Sequence, residues 1–192
     1  MPHTTATPKR QQGAIKMEDR LTKLEALNKT LNPACDLSGL FLPVEAPKQF
    51  NVMFVAEMPS MNVPKGWVQG DVIPNFSETA RDRFLQDMMV KYGVGGSYVT
   101  DIVKTRDYPR QPTRDEVSRW LPFLLKEIEI LQPQALIVLG KRTYDASFVR
   151  FVAQHIPKNI KVDWIFHYSN QVPRKKFEER FRQVIGSLQS RR

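Results

Sequence analysis

Three short segments carry the side chains best suited to chemistry. In Val55-Ala56-Glu57-Met58-Pro59-Ser60, an acid directly follows an apolar run. A carboxylate placed at the end of a strand can act as a general base or stabilise a developing cation; it can equally cap a helix or face solvent. In Trp164-Ile165-Phe166-His167-Tyr168-Ser169-Asn170-Gln171, a histidine follows another apolar run and precedes small polar residues. His167 could hydrogen-bond a ligand while the loop behind it holds phosphate, or it could satisfy nearby backbone. The other two histidines are less well placed, His3 near the N-terminus and His155 at a helix end. In Tyr98-Val99-Thr100-Asp101-Ile102-Val103-Lys104-Thr105-Arg106, Asp101 lies inside an apolar run. A carboxylate there is costly unless it is paired or put to use. Lys104 and Arg106 are its candidate structural partners.

Two other signals are weaker. Leu139-Gly140-Lys141-Arg142-Thr143 resembles the end of a phosphate-binding loop. It lacks the earlier glycine and the loop length needed to wrap a phosphate in backbone amides, which argues against nucleotide hydrolysis. The basic run Arg174-Lys175-Lys176, with Arg180 and Arg182, reads either as a solvated helix face or as phosphate contacts beside the His167 segment.

The elements that would position these residues can be read from periodicity. Residues 52–56, 98–103, 135–139 and 162–166 are strand-length apolar runs, as expected of parallel strands covered on both faces. Helical patterns lie between them. Met17, Leu21, Leu24, Leu27 and Leu31 recur at helical spacing over residues 14–32, and Pro33 ends that run. Residues 77–92 place Ala80, Phe84, Leu85, Met88 and Met89 on one face. Residues 113–131 open with Thr-Arg-Asp-Glu, a capping box with Glu116 at the third helical position. Residues 141–155 follow the third run directly, and residues 173–188 begin with Pro173 at a first helical position. Residues 34–50, with Gly39, Pro43 and Pro47, read as irregular loop.

Alternating strands and helices predict a three-layer α/β/α sandwich with a central four-stranded, mainly parallel sheet and right-handed crossovers. Sites in such sheets form at the carboxyl ends of strands. That rule selects the loops after residues 56, 103, 139 and 166. Residues 1–13 are polar and basic and are expected to be a disordered tail on a single domain of residues 14–192.

The chain has 29 Lys+Arg against 20 Asp+Glu, a net charge of +9 over 192 residues. Such an excess favours polyanionic partners, because neutralising phosphates releases condensed counterions. No apolar run approaches the ~20 residues of a membrane span, and the N-terminal stretch lacks the apolar core of a signal peptide. The single cysteine, Cys35, excludes an internal disulfide and any multi-cysteine metal site. A reducing, cytoplasmic, nucleoid-associated location is the expectation.

In order and spacing, these motifs resemble the uracil-DNA glycosylase superfamily, most closely its family 4 branch, over roughly residues 33–188. The best stretch runs from Tyr-Val-Thr-Asp-Ile-Val-Lys at 98–104, through Pro112-Thr113, Pro122-Phe123-Leu124 and Leu131-Gln132-Pro133, to Val138-Leu139-Gly140. The resemblance implies a monofunctional DNA glycosylase that flips a damaged, deaminated base such as uracil out of DNA and hydrolyses its N-glycosidic bond. It assigns Glu57 to the attacking water and His167 to the departing base. Met58, Phe76 and Asp101 become base-binding residues, with Phe76 stacking on the flipped base. Gln171 or Val172 becomes the wedge in the duplex. Ser60, Lys104, Arg106, Arg110, Ser169, Asn170 and Arg174 join these two as DNA contacts. The implied partner is DNA containing a damaged base, bound by a monomer without any membrane.

The departures from the family pattern are specific. The branch holds an iron–sulfur cluster on four cysteines; this chain offers Cys35, Ser38, Thr105 and Trp120 at the corresponding places. Thiolates are required to hold such a cluster, so no cofactor is expected and Trp120 is expected to fill the volume with apolar packing. Tyr168 stands for a usual proline, and Ala56 and Ser60 for glycines. Asp101 stands for an asparagine that reads uracil's edge. An asparagine amide both donates and accepts, whereas an ionised aspartate only accepts. Two alternatives follow: a glycosylase for hypoxanthine or another modified base, and a catalytically inactive DNA-binding module of the same fold.

Overall fold

The computed structural model describes residues 9–31, 49, 51–59, 79–104, 110–169 and 172–189; within the first helix, side chains are described for residues 17–27 and 30. Helix α1 spans Lys9–Leu31, starting earlier than the hydrophobic periodicity predicts. The strands are β1 (Val52–Ala56), β2 (Tyr98–Asp101), β3 (Ala135–Leu139) and β4 (Lys161–Ile165). They form one four-stranded sheet in the order β2-β1-β3-β4. All three pairings are parallel, so every carboxyl end lies along one edge.

β1 and β3, at the centre, are buried along their whole length. Continuous apolar runs fit that position, because helices cover both faces. β4 forms an edge and is largely half-exposed. β2 is shorter than its apolar run and stops at Asp101. Beyond it, the Ile102 and Val103 amides donate to the Ala56 and Glu57 carbonyls at 2.9 and 3.0 Å, tying the loop after β1 to the end of β2.

Side-chain alternation divides the core in two. Met53, Val55, Leu136 and Val138 join Leu24, Trp120, Leu124, Ile128 and Phe148 on one face. Phe54, Ala56, Ile137, Leu139 and Ile165 join Leu85, Met88, Phe177 and Phe181 on the other. The first face is covered by α1, by α3 (Arg114–Leu131) and by the helical segment after β3. The second is covered by α2 (Ala80–Lys91) and α5 (Arg174–Gln189). The three-layer α/β/α sandwich expected from the sequence is the fold observed.

Local chemistry sets the helix starts. Thr113 and Glu116 form the predicted capping box at α3, with Glu116 Oε2 accepting from the Thr113 amide at 2.7 Å. Thr79 and Asp82 form another at α2. The sequence predicts a helical segment after β3 over residues 141–155. It consists of a short α-helical turn, α4 (Lys141–Thr143), then a π-helical segment (Tyr144–Val152), then a 3-10 turn (Ala153–His155). The Ala153 amide bonds to the Phe148 carbonyl, five residues back, as a π-helix requires.

Candidate active site

Glu57 is the residue immediately after β1. By alternation it shares the sheet face of Met53 and Val55, beneath the π segment. Ser147 of that segment is buried, 1% exposed. Its hydroxyl donates to Glu57 Oε1 at 2.7 Å. With its backbone carbonyl held by Val103 and one carboxylate oxygen held by Ser147, Glu57 is fixed at both ends. Its other carboxylate oxygen makes no hydrogen bond among the described residues. Met58 is half-buried and packs against the same core face.

His167 lies two residues past β4, on the same edge of the sheet. The Ser169 amide donates to His167 Nδ1 at 3.2 Å, and the Ser169 hydroxyl sits 2.6 Å from the same nitrogen. A backbone amide can only donate, so Nδ1 is the acceptor and a neutral ring carries its proton on Nε2. Burial lowers the imidazole's pKa from 6.5 to about 4, outweighing the opposing effect of the Asp82 charge. Near neutral pH, His167 is therefore an uncharged donor through Nε2.

Gly140 makes room for it. Gly140 has φ +105°, and a Cβ there would stand 3.4 Å from His167 Cβ and 3.3 Å from Thr143 Oγ1. The Gly140 amide also donates to the Ile165 carbonyl at 2.8 Å. The segment that had only a faint likeness to a phosphate loop thus serves as the tight passage between β3 and the histidine.

Asp101 closes β2 opposite Ala56 in the register and is fully buried. Tyr168 stacks on His167, with ring centroids 4.7 Å apart and planes at 19°. Burial, followed by the charges of Asp82 and Asp101, pushes the Tyr168 hydroxyl well above the ordinary tyrosine value. It stays protonated and able to donate towards acids. Asp82 itself is 6% exposed and accepts from the Thr79 amide and hydroxyl at 2.8 and 2.7 Å.

Burial corrects the expectation for Lys104. Lys104 is not part of a DNA-facing surface. It is 3% exposed, and its ammonium reaches Glu127 at 2.9 and 3.0 Å and the Asp101 carbonyl at 2.8 Å. It also bonds Thr100. Its ion-pair partner is thus Glu127, which the sequence reading did not consider. Arg180 is likewise engaged: it pairs with Asp163, donates to the Trp164 carbonyl at 3.0 Å and lies 4.4 Å over the Trp164 ring.

The surface residues differ in how committed they are. Arg110 forms a two-pronged pair with Glu116 at 2.6 and 2.7 Å while keeping 47% of its side chain exposed. Arg174 is exposed, with its guanidinium 5.3 Å over the Phe84 ring. Ser169 and Val172 are half-buried, on the segment that leads from His167 to α5. Ser60, Phe76, Arg106, Asn170 and Gln171 lie outside the described residues, as do Cys35, Ser38 and Thr105.

Trp120 is 1% exposed within the core, 5.4 Å from Phe123. An indole cannot ligate iron, and the chain holds one cysteine. The donor set therefore does not fit a four-thiolate cluster.

The sequence reading missed two residues near the site, Ser147 and Asp82. Ser147 left a trace: a small hydroxyl residue among the aromatic residues Tyr144, Phe148 and Phe151 on an apolar helix face. Asp82 left the Thr79-x-x-Asp82 capping box.

Comparison with known proteins bears on the family of the chain. A family model described as the uracil DNA glycosylase superfamily matches residues 43–189. The chain is 31% identical over 102 residues to a type-4 uracil-DNA glycosylase of Pyrobaculum aerophilum, an overlap of 52% of this chain and 48% of that protein. It thus spans about half the length of the relative it matches.

Proposed function

The chain belongs to the uracil DNA glycosylase superfamily, and we propose that it is a monofunctional DNA glycosylase acting on a damaged base in DNA. The observation that carries this reading is the pair at one sheet edge: an anchored carboxylate, Glu57, and a neutral, Nε2-protonated His167.

In this mechanism the target nucleotide rotates out of the stack into the edge formed by β1, β2 and β4. Phe76 stacks on the base, and Met58 and Asp101 border it. As the glycosidic bond breaks, positive charge develops on the sugar and negative charge on the departing base. Glu57 favours the first and directs a water to the anomeric carbon. His167 donates from Nε2 to the second, and a neutral donor avoids the cost of burying a cation. Ser60, Arg106, Arg110, Ser169, Asn170, Gln171, Val172 and Arg174 form the DNA-contacting surface, with Gln171 or Val172 as the wedge. The net charge of +9 supports a phosphate-rich partner.

Replacing Glu57 with Gln tests the assignment. Single-turnover base release from uracil-containing duplex is expected to fall on the order of 10²- to 10⁴-fold while DNA affinity stays the same. Unchanged release would sink it.

Asp101 favours a second reading on substrate. Ionised, it accepts but cannot donate, which suits a base edge that presents a donor better than uracil O4. A panel of lesion duplexes, with alkali cleavage of the abasic product, separates the readings. Release from uracil supports the first, release from hypoxanthine or an amino-bearing base supports the second, and salt-sensitive binding without product identifies a DNA-binding module.

A further inference from the structure

Glu57 depends on a backbone that departs from the ordinary helix. Over Tyr144–Val152 the turns are π-helical, which changes the direction each side chain takes relative to an uninterrupted α-helix. Single π turns are rare and cluster at functional sites; this one extends over nine residues. Phe148 and Val152 are fully buried and hold the segment on the sheet. Ser147 sits beside them, and its hydroxyl turns to Glu57 rather than to a carbonyl of its own helix.

We propose that Ser147 is a positioning residue for Glu57, held on a π-helical segment so that its hydroxyl fixes one carboxylate oxygen and leaves the other for the reacting water. This rests on the reading of Glu57 as the acid that handles that water. A glutamate on a loop has several accessible rotamers. One short hydrogen bond from a rigid, buried donor selects among them. Misplacing a reacting group by about 1 Å can cost on the order of 10²-fold in rate, so ordering this carboxylate has a kinetic consequence. The sequence following β3 thereby serves the site twice: Gly140 clears space for His167, and Ser147 anchors Glu57.

The test is Ser147→Ala in the full chain, alone and combined with Glu57→Gln. Single-turnover base release is expected to fall on the order of 10- to 100-fold, with the DNA concentration at half-saturation unchanged. In the Glu57→Gln background the same change is expected to have no further effect, because Ser147 acts through Glu57. An equal loss in both backgrounds overturns the proposal, since it marks a general packing defect. Ser147→Cys, close in shape but a poor donor, is expected to match alanine; full activity in that variant also overturns it. A readout independent of turnover is the Glu57 carboxyl-carbon resonance in glutamate-labelled protein, assigned by its loss in Glu57→Gln. It is expected to move in Ser147→Ala, and an unmoved resonance overturns the proposal whatever the rates. If the unaltered protein releases no base from any duplex, the glycosylase reading fails by itself, and the resonance alone decides whether Ser147 holds Glu57.

Discussion

Two glutamates on the same side of the sheet have opposite surroundings. Glu127 of α3 is fully buried and saturated: Tyr98 donates at 2.9 Å, Thr100 at 3.0 and 3.1 Å, and Lys104 at 2.9 and 3.0 Å. Glu57, at the sheet's carboxyl edge, is half-buried and, among the described residues, receives one hydroxyl. Desolvating a carboxylate must be offset by hydrogen bonds or by charge. Where every acceptor position is used, the acid can bind nothing more and its role is structural. Where one oxygen is left at the mouth of a parallel sheet, the acid can still take a water or a substrate. The contrast separates structural from chemical acids, which residue type alone cannot do.

Breaking the saturated assembly should give the largest effect on stability. Lys104→Met leaves the Glu127 charge without its cation and is expected to cost about 3–5 kcal/mol, measured by chemical denaturation. Replacing both partners with apolar residues of similar volume is expected to recover most of that loss. If Lys104→Met costs no more than an exposed substitution, the two assemblies do not differ as described.

The open assembly is sensitive in a different place, at a positive φ that glycine adopts freely. Gly140→Ala puts a Cβ on a φ of +105° and against His167. A backbone held in such a region is expected to cost about 1–3 kcal/mol, read as a lower melting temperature, together with slower base release as His167 is displaced. A loss of stability with unchanged release would separate Gly140 from the site.

The most diagnostic effect is on pH dependence, and it is absent at neutral pH. The pKa of His167 in the folded protein, about 4, lies below its ordinary value of 6.5. Between those values the unfolded chain takes up a proton that the folded chain refuses. Stability is therefore full above pH 6.5 and declines as pH falls towards 4. His167→Gln is expected to flatten that part of the stability curve. An imidazole that titrates near 6.5 by NMR in the folded protein would contradict the buried, neutral donor.

Particular residues show how far the sequence could be read. β1 and β3 were legible to the residue, because central parallel strands need unbroken apolar runs and nothing competes with that signal. β2 was read too long, since the apolar residues Ile102 and Val103 leave the ladder to clasp the loop after β1. α1 was read too short, since polar residues before the periodic stretch carry no hydrophobic signal. Lys104 was misread because a lysine beside a strand end looks alike whether it faces solvent or a buried acid distant in sequence. Ser147 was overlooked because its partner lies 90 positions away.

The sequence by itself determined the order of elements, the parallel sheet and the edge where a site must form, because periodicity, caps and strand–helix alternation are local properties. It also placed Glu57 and His167 on that edge. Only the tertiary structure decided what each polar side chain meets. It gave Lys104 to Glu127 and Ser147 to Glu57, and it made His167 neutral by burial. Pairing, burial and π-helical direction depend on which distant segments pack together, and no local pattern encodes that.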